Sequence, residues 1–308
     1  MRAQNIIIPY LSPTQLMLLR FLRHRAAVAS VLVLVALGLV TLAAPLVEAF
    51  LNVDSNEVDL LNIFAAPSAS NPLGTDELGR DELVRLLYGG RVSLVAGLAT
   101  ALISALIGTV IGLLAGYYGG LLDRLLMRLT DSVIALPLLP LLIVLAALDL
   151  SKLGLPPDLA TSPEISLYRI VVIISLVGWT TVARLVRGAA LTLRERDFVL
   201  AVRSLGASGP RIMLRHILPN AISPIIVATT LSVGNIILLE SVLSFLGLGI
   251  QPPFASWGNM LTVAQEKIYE APMLAVYPGL LIFATVIAFN FLGDGLQDAL
   301  DPRAQDRR

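Results

Sequence analysis

The densest polar chemistry in this 308-residue chain is a run of seven arginines at 184, 187, 194, 196, 203, 211 and 215. Guanidinium groups are neither nucleophiles nor proton shuttles at neutral pH; they dock against carboxylates, phosphates and aromatic faces. Groups that make or break bonds are scarce. There is no Cys, which excludes thiol catalysis, disulfides and thiolate metal sites. The two His, His24 and His216, each adjoin an Arg at the border of an apolar stretch, a setting for interfacial packing rather than catalysis. The two Lys, Lys152 and Lys267, follow Ser151 and Glu266, so the Gly-Lys-Ser/Thr phosphate loop is missing and the chain does not bind ATP in that way. Neither HExxH nor GxSxG occurs. Gly293-Asp294-Gly295 could suggest an intramembrane aspartyl protease, but a second intramembrane Asp to pair with it is missing. These absences lead to no expected catalytic, metal or cofactor site.

The elements that must position these arginines are apolar. Hydrophobic residues make up 56% of the chain and charged residues 14%, against roughly 25% charged in a typical soluble domain. Lipid must solvate part of this surface. A spanning helix needs about 20 mostly apolar residues. Six stretches qualify: Ala26–Val47, Val92–Leu122, Ser132–Leu148, Ile170–Ala183, Ile217–Leu239 and Ala271–Gly293. A seventh uncharged stretch, Ser241–Gln265, carries Gly247, Gly249, Pro252, Pro253 and Gly258. Such breakers predict a loop or re-entrant segment against protein or a cavity. The expectation is an all-α polytopic membrane protein with six transmembrane helices and both termini on one side. Segments 1–25, 123–131, 184–216 and 294–308 then hold 16 of the 22 basic residues, which makes that side the cytoplasmic one. The first apolar run, after Arg20, Arg23 and Arg25, is too long for a cleaved signal and reads as a retained anchor. Residues 1–70 then form a tail, first span and start of the outer loop, 71–302 the main domain, and 303–308 a tail.

No long span carries Asp, Glu, Lys or Arg through its middle, which weakens an ion-coupled carrier. A passive pore, or a membrane subunit driven by a separate motor, remains. Gly108, Gly112 and Gly116 fall at i, i+4 and i+8, a small-residue row that admits a second helix closely, within the subunit or from a partner. The outer loop 48–91 holds eight acidic and three basic residues. It is either a solvated cap, with Asp76, Arg80 and Asp81 pairing to order the turns at Gly74 or Gly79, or a docking surface or gate.

The arginine-rich loop divides at Gly206 and Gly209-Pro210. Phe198, Val199, Val202 and Leu205 share one helical face, a second short amphipathic stretch runs from Arg211 to Leu218, and Pro219 opens the next span. This predicts a helix–turn–helix on the cytoplasmic face. Composition alone allows an interfacial hairpin, a basic face held by anionic lipid, or a docking element for a soluble partner. Pinned to the bilayer at both ends, it is ill-suited to nucleic acid.

The loop resembles the EAA motif of the inner-membrane subunits of binding-protein-dependent ABC importers. Leu200-Ala201-Val202 stands for Glu-Ala-Ala, Gly206 keeps the motif's distance, and His216-Ile217-Leu218-Pro219 closes it. Other blocks are similar to the C-type permease subunit of dipeptide and oligopeptide importers: Asn71 to Asp81, Ala115 to Gly120, Arg215 to Asn220, Leu243 to Gly258, and Phe289 to Pro302. That resemblance implies a type I-like importer fold and half of a translocation pore, paired with a homologous permease. Two ATP-binding subunits, of one or two kinds, would hold the ATP and Mg that this chain does not. A periplasmic or lipid-anchored substrate-binding protein would deliver the peptide, all at the bacterial inner membrane. It implies that the loop is a coupling helix hinged at Gly206. The apolar contacts would be Phe198, Val199, Ala201 and Val202, the polar ones Arg194, Arg203 and Arg211, with Ala207, Leu218 and Pro219 completing the motif. It implies docking of the binding protein near Gly74, Asp76, Gly79, Arg80 and Asp81. Relatives of this subunit type carry nickel or glutathione, and a self-sufficient channel or carrier is the rival from another class.

Overall fold

A computed structural model describes residues 12–154, 156, 158 and 162–300. The tail 303–308 and most of the N-terminal tail lie outside the described residues. The described chain is helical, with one isolated bridge between Thr75 and Asp81. The helices are α1 (Pro13–Arg23), α2 (Arg25–Leu42), α3 (Ala44–Leu51), α4 (Glu82–Tyr118), α5 (Gly120–Ala135), α6 (Leu138–Ala146), α7 (Pro163–Arg194), α8 (Asp197–Ser204), α9 (Gly209–Phe245), α10 (Trp257–Glu266) and α11 (Met273–Leu300). Helices α2, α4, α7, α9 and α11 are long and apolar enough to cross a membrane, and α5 with α6 supplies a bent sixth.

Three predicted elements change shape. The stretch Ser132–Leu148 is not one straight helix: α5 and α6 meet at 89°. Pro137 has no N–H to continue α5 and holds Leu136 extended, at ψ 139°. Second, α4 begins at Glu82, ten residues before its uncharged stretch, because Asp81 caps it by accepting from the Val84 N–H at 2.8 Å. Third, the predicted short helix 211–218 is not separate. Residues 209–245 run on as α9, with a π-helical turn over Met213–Ile217 before Pro219. A widened turn of this kind loosens the ladder just where proline contributes no donor.

The centre of the bundle is α4 against α7. Gly108, Gly112 and Gly116 form the seam: a Cβ at Gly112 would stand 2.6 Å from the Ala183 carbonyl oxygen, and one at Gly116 2.8 Å from that of Arg187. The small-residue row therefore packs within the subunit. Helix α9 lies on both, joined by Leu142, Ile170, Ile174, Ile237 and Leu243 in one buried cluster. Helix α11 packs on α9 and α2, and α1 and α2 lean on its last turns, where His24 approaches Asp298 at 3.7 Å. His24 is a helix cap, its Nδ1 accepting from the Ala27 N–H at 3.1 Å. One end of the bundle, the hairpin end, carries α8 and the start of α5. The other, the cap end, carries α3, the loop 52–81 and α10.

Candidate functional site

At the hairpin end, α8 hangs from α7 by a two-residue link and turns back into α9. Val199 is fully buried against Val186, Ala190, Ile212 and Ile217, and Val202 and Ala207 pack on the same cluster. These residues fasten the hairpin to its own subunit, so Val199 is not available as an apolar contact for a partner. The reason is packing: the start of α9, through Ile212 and Ile217, covers positions 199 and 202. Left uncovered are Phe198 at 42% exposure, Leu200 at 40%, Ala201, and Leu205 at 86%. Leu205 and Leu200 were missing from the expected contact set; helical period groups Leu205 with Val199 and Val202, and only packing against Ile212 and Ile217 separates them.

Gly206 closes α8 with φ +82°. Its N–H donates to the Arg203 carbonyl at 3.0 Å and the Ala207 N–H to that of Val202 at 3.3 Å, the paired bonds of a Schellman turn. Arg194 donates to the Gly116 carbonyl at 3.0 Å and pairs with Glu195 at 2.9 Å. Arg203 lies 5.4 Å above the Tyr117 ring. Arg211 and Pro219 are exposed and Leu218 is half-buried in the hairpin cluster. Arg187 grips Asp123 bidentately at 2.5 and 2.7 Å, tying α7 to α5. The hairpin is thus clamped at its roots and apolar at its tip.

The cap end holds the other expected site residues, and it holds them inside. Asp76 is buried and accepts from the backbone N–H groups of Leu78 and Arg80, from Arg80 Nε at 2.7 Å, and pairs with Arg85 Nε at 3.2 Å. Asp81 caps α4 and accepts from the Asn71 side chain at 3.1 Å. Gly74 and Gly79 take φ +84° and +75°, and a Cβ at Gly79 would collide with the Asp59 carbonyl. These residues order the turn, and the side chains of Asp76, Arg80 and Asp81 offer no surface for docking. Burial first, then the neighbouring Asp76 carboxylate, pushes the Glu77 carboxyl above its usual range.

Glu240 directly follows the uncharged stretch Ile217–Leu239, at the border of a predicted span. The structure buries it, with Ser93 Oγ donating to Oε2 at 3.2 Å and Ser244 Oγ to Oε1 at 2.7 Å. Ser93 Oγ in turn accepts from the Trp257 N–H at 3.2 Å, and the Trp257 indole donates to the Leu86 carbonyl at 3.0 Å. This knot holds α10 between α4 and α9, which is how the glycine- and proline-rich stretch lies against protein without spanning. Ser244, one turn after Glu240, was a local hint of a polar partner, whereas Ser93 and Trp257 meet it only through the fold.

The fold and site together are a polytopic helical bundle with a clamped hairpin at one end and a buried polar cap at the other. Residues 108–306 match the model of the binding-protein-dependent transport system inner membrane component, and residues 12–67 match the N-terminal TM domain of oligopeptide transport permease C. The chain belongs to the first of these families and is an inner-membrane component of such a system. It is 41% identical over 286 residues to the oligopeptide transport system permease protein OppC of Escherichia coli K12, covering 92% of this chain and 89% of that one. OppC of Bacillus subtilis 168 is 36% identical over 286 residues, covering 93% and 88%. The fold is shared with a chain of the MetNI methionine ABC transporter in an inward-facing form, at TM-score 0.52 and 17% identity, over 70% of this chain and 96% of that one.

Proposed function

We propose that this chain takes up di- or oligopeptides as one half of an ABC importer's pore, driven through α8 by ATPase subunits. The observation that carries the reading is the two-faced hairpin: Val199 and Val202 hold it to the bundle while Phe198, Leu200, Ala201 and Leu205 stay uncovered. A partner groove that covered this face would move α8, and because 209–245 is one helix, the push would pass directly into a span. Gly206 fixes the turn between α8 and α9 in this reading. The relatives' names support peptide as cargo. A homologous permease, two ATP-binding subunits and a binding protein complete the assembly. The hairpin end is cytoplasmic, as the arginine distribution favours, with both termini on that side.

The chain has no Cys, so one introduced thiol reports one position. Leu205→Cys in membranes should cross-link to an ATP-binding subunit, and Val199→Cys should not. Cross-linking of neither, with the ATPases present, would overturn the docking role.

A further inference from the structure

A cleft of about 210 Å³ opens at the cap end between the first turn of α4 and the segment 244–262. Three carboxylates line it, Asp76, Glu77 and Glu82, against two guanidiniums, Arg80 and Arg85. The pairs are unequal. Asp76 takes both arginines and Glu77 takes Arg80 Nη2 at 2.9 Å. Glu82 takes neither within ion-pair distance: it is 2% exposed, and its Oε1 is buried with no hydrogen-bond partner. A buried polar atom left without a partner costs free energy, and more once it carries charge. Nor is it needed as a helix cap, since Asp81 already accepts from the Val84 N–H.

The other walls supply neutral acceptors. Gln251 spends its amide N–H groups on the Gly247 and Gly249 carbonyls at 2.9 and 3.1 Å, which leaves Oε1 available. Thr262 donates its hydroxyl to the carbonyls of Ser244 and Phe245 and keeps its oxygen lone pairs. One carboxylate and two neutral oxygens around a small cleft match a group with three donors, one positive charge and no acceptor. A divalent metal asks for more anionic oxygen, and no group of three or more acidic or His side chains among the described residues is placed to hold one. We propose that this cleft binds a primary ammonium group, with Glu82 as its counter-ion.

The test is thermal unfolding of the full chain in lipid nanodiscs, titrated with methylammonium chloride, and with tetramethylammonium and sodium chlorides at equal ionic strength. Methylammonium should raise the midpoint saturably; tetramethylammonium, which has the charge but no N–H, should act as sodium does. Glu82→Gln should raise the half-saturating concentration about tenfold or more, the size of a charge-assisted hydrogen bond. Equal effects of the two ammonium ions on the parent chain would overturn the proposal, whether or not the variant folds. So would an unchanged response in Glu82→Gln. Two further ligands assign the source. A response to trialanine that N-acetyl-trialanine lacks points to a peptide amino terminus, and a response to Nα-acetyl-lysine methylamide points to a lysine side chain. No ATPase enters the assay, so its failure is separate from failure of the importer reading.

Discussion

Replacing Gly112 by Ala tests the seam on which the bundle is built. The new methyl would lie 2.6 Å from the Ala183 carbonyl oxygen, 2.7 Å from Val186 Cβ and 3.0 Å from the Arg187 nitrogen. Ordinary contact begins near 3.4 Å, so α4 and α7 must part locally by about 0.8 Å, the difference of the two distances. Two of the three obstacles are backbone atoms, which cannot rotate aside. Overpacking of this kind costs about 1–3 kcal/mol. The methyl returns about 0.5–1 kcal/mol through the lower backbone entropy of Ala in a helix. At mid-range the expected net loss is about 1 kcal/mol, a factor of roughly 5 in the folded ratio. Gly188→Ala is the matched control. It sits on the facing helix α7, exposed, with nothing within 4 Å of its Cβ position, so only the gain applies and stability should rise by up to about 1 kcal/mol. Reversible unfolding in mixed micelles reads both, with Trp179 at the seam as the fluorophore. If Gly112→Ala is as stable as the parent, or Gly188→Ala is the worse of the two, the close-approach argument is refuted.

Gly206 has open space around it but a left-handed φ, so Gly206→Val should weaken the hairpin by about 1–2 kcal/mol or more and Gly206→Asn by less, read by protease sensitivity of 197–212. Leu205→Glu should lower transport while leaving the bundle's unfolding midpoint unchanged, whereas Val199→Glu should unfold the hairpin and lower both. Asp76→Ala strands the buried Arg85 guanidinium, leaves Arg80 only its contact with Glu77, and should cost about 3–5 kcal/mol, measured by the same unfolding assay. Glu240→Leu should free α10 and shift Trp257 emission to the red, while Glu240→Gln, which keeps one of the two acceptor oxygens used by Ser93 and Ser244, should shift it less.

The spans were legible because an uncharged run of some 20 residues has one stable solution in lipid. Their ends were less so. Charge was the stop signal, yet α4 runs through Glu82, Arg85 and Arg91, because tertiary partners in the cap meet Arg85. Pro219 looked like a helix start and proved to lie inside α9, its missing donor accommodated by the π-helical turn. For the hairpin, helical period identified an apolar face but could not say which side the bundle would cover; that depends on α9, distant in sequence. For the cap, Asp76, Arg80 and Asp81 were visible as a pairing set, but whether a partner or the chain's own arginine meets them is decided by burial. The Glu240 knot joins residues 93, 240 and 257, a long-range fact that no local pattern carries.

The central claim is that this permease moves solute only when partner ATPases push its hairpin. The direct measurement is peptide uptake into proteoliposomes holding the chain together with everything that co-purifies from solubilised membranes, with and without ATP. The account predicts a second permease and ATP-binding subunits among the co-purified proteins, uptake that needs ATP, and its loss in Leu205→Glu. Recovery of the chain alone, with transport that proceeds without ATP, would contradict it and favour a self-sufficient channel or carrier.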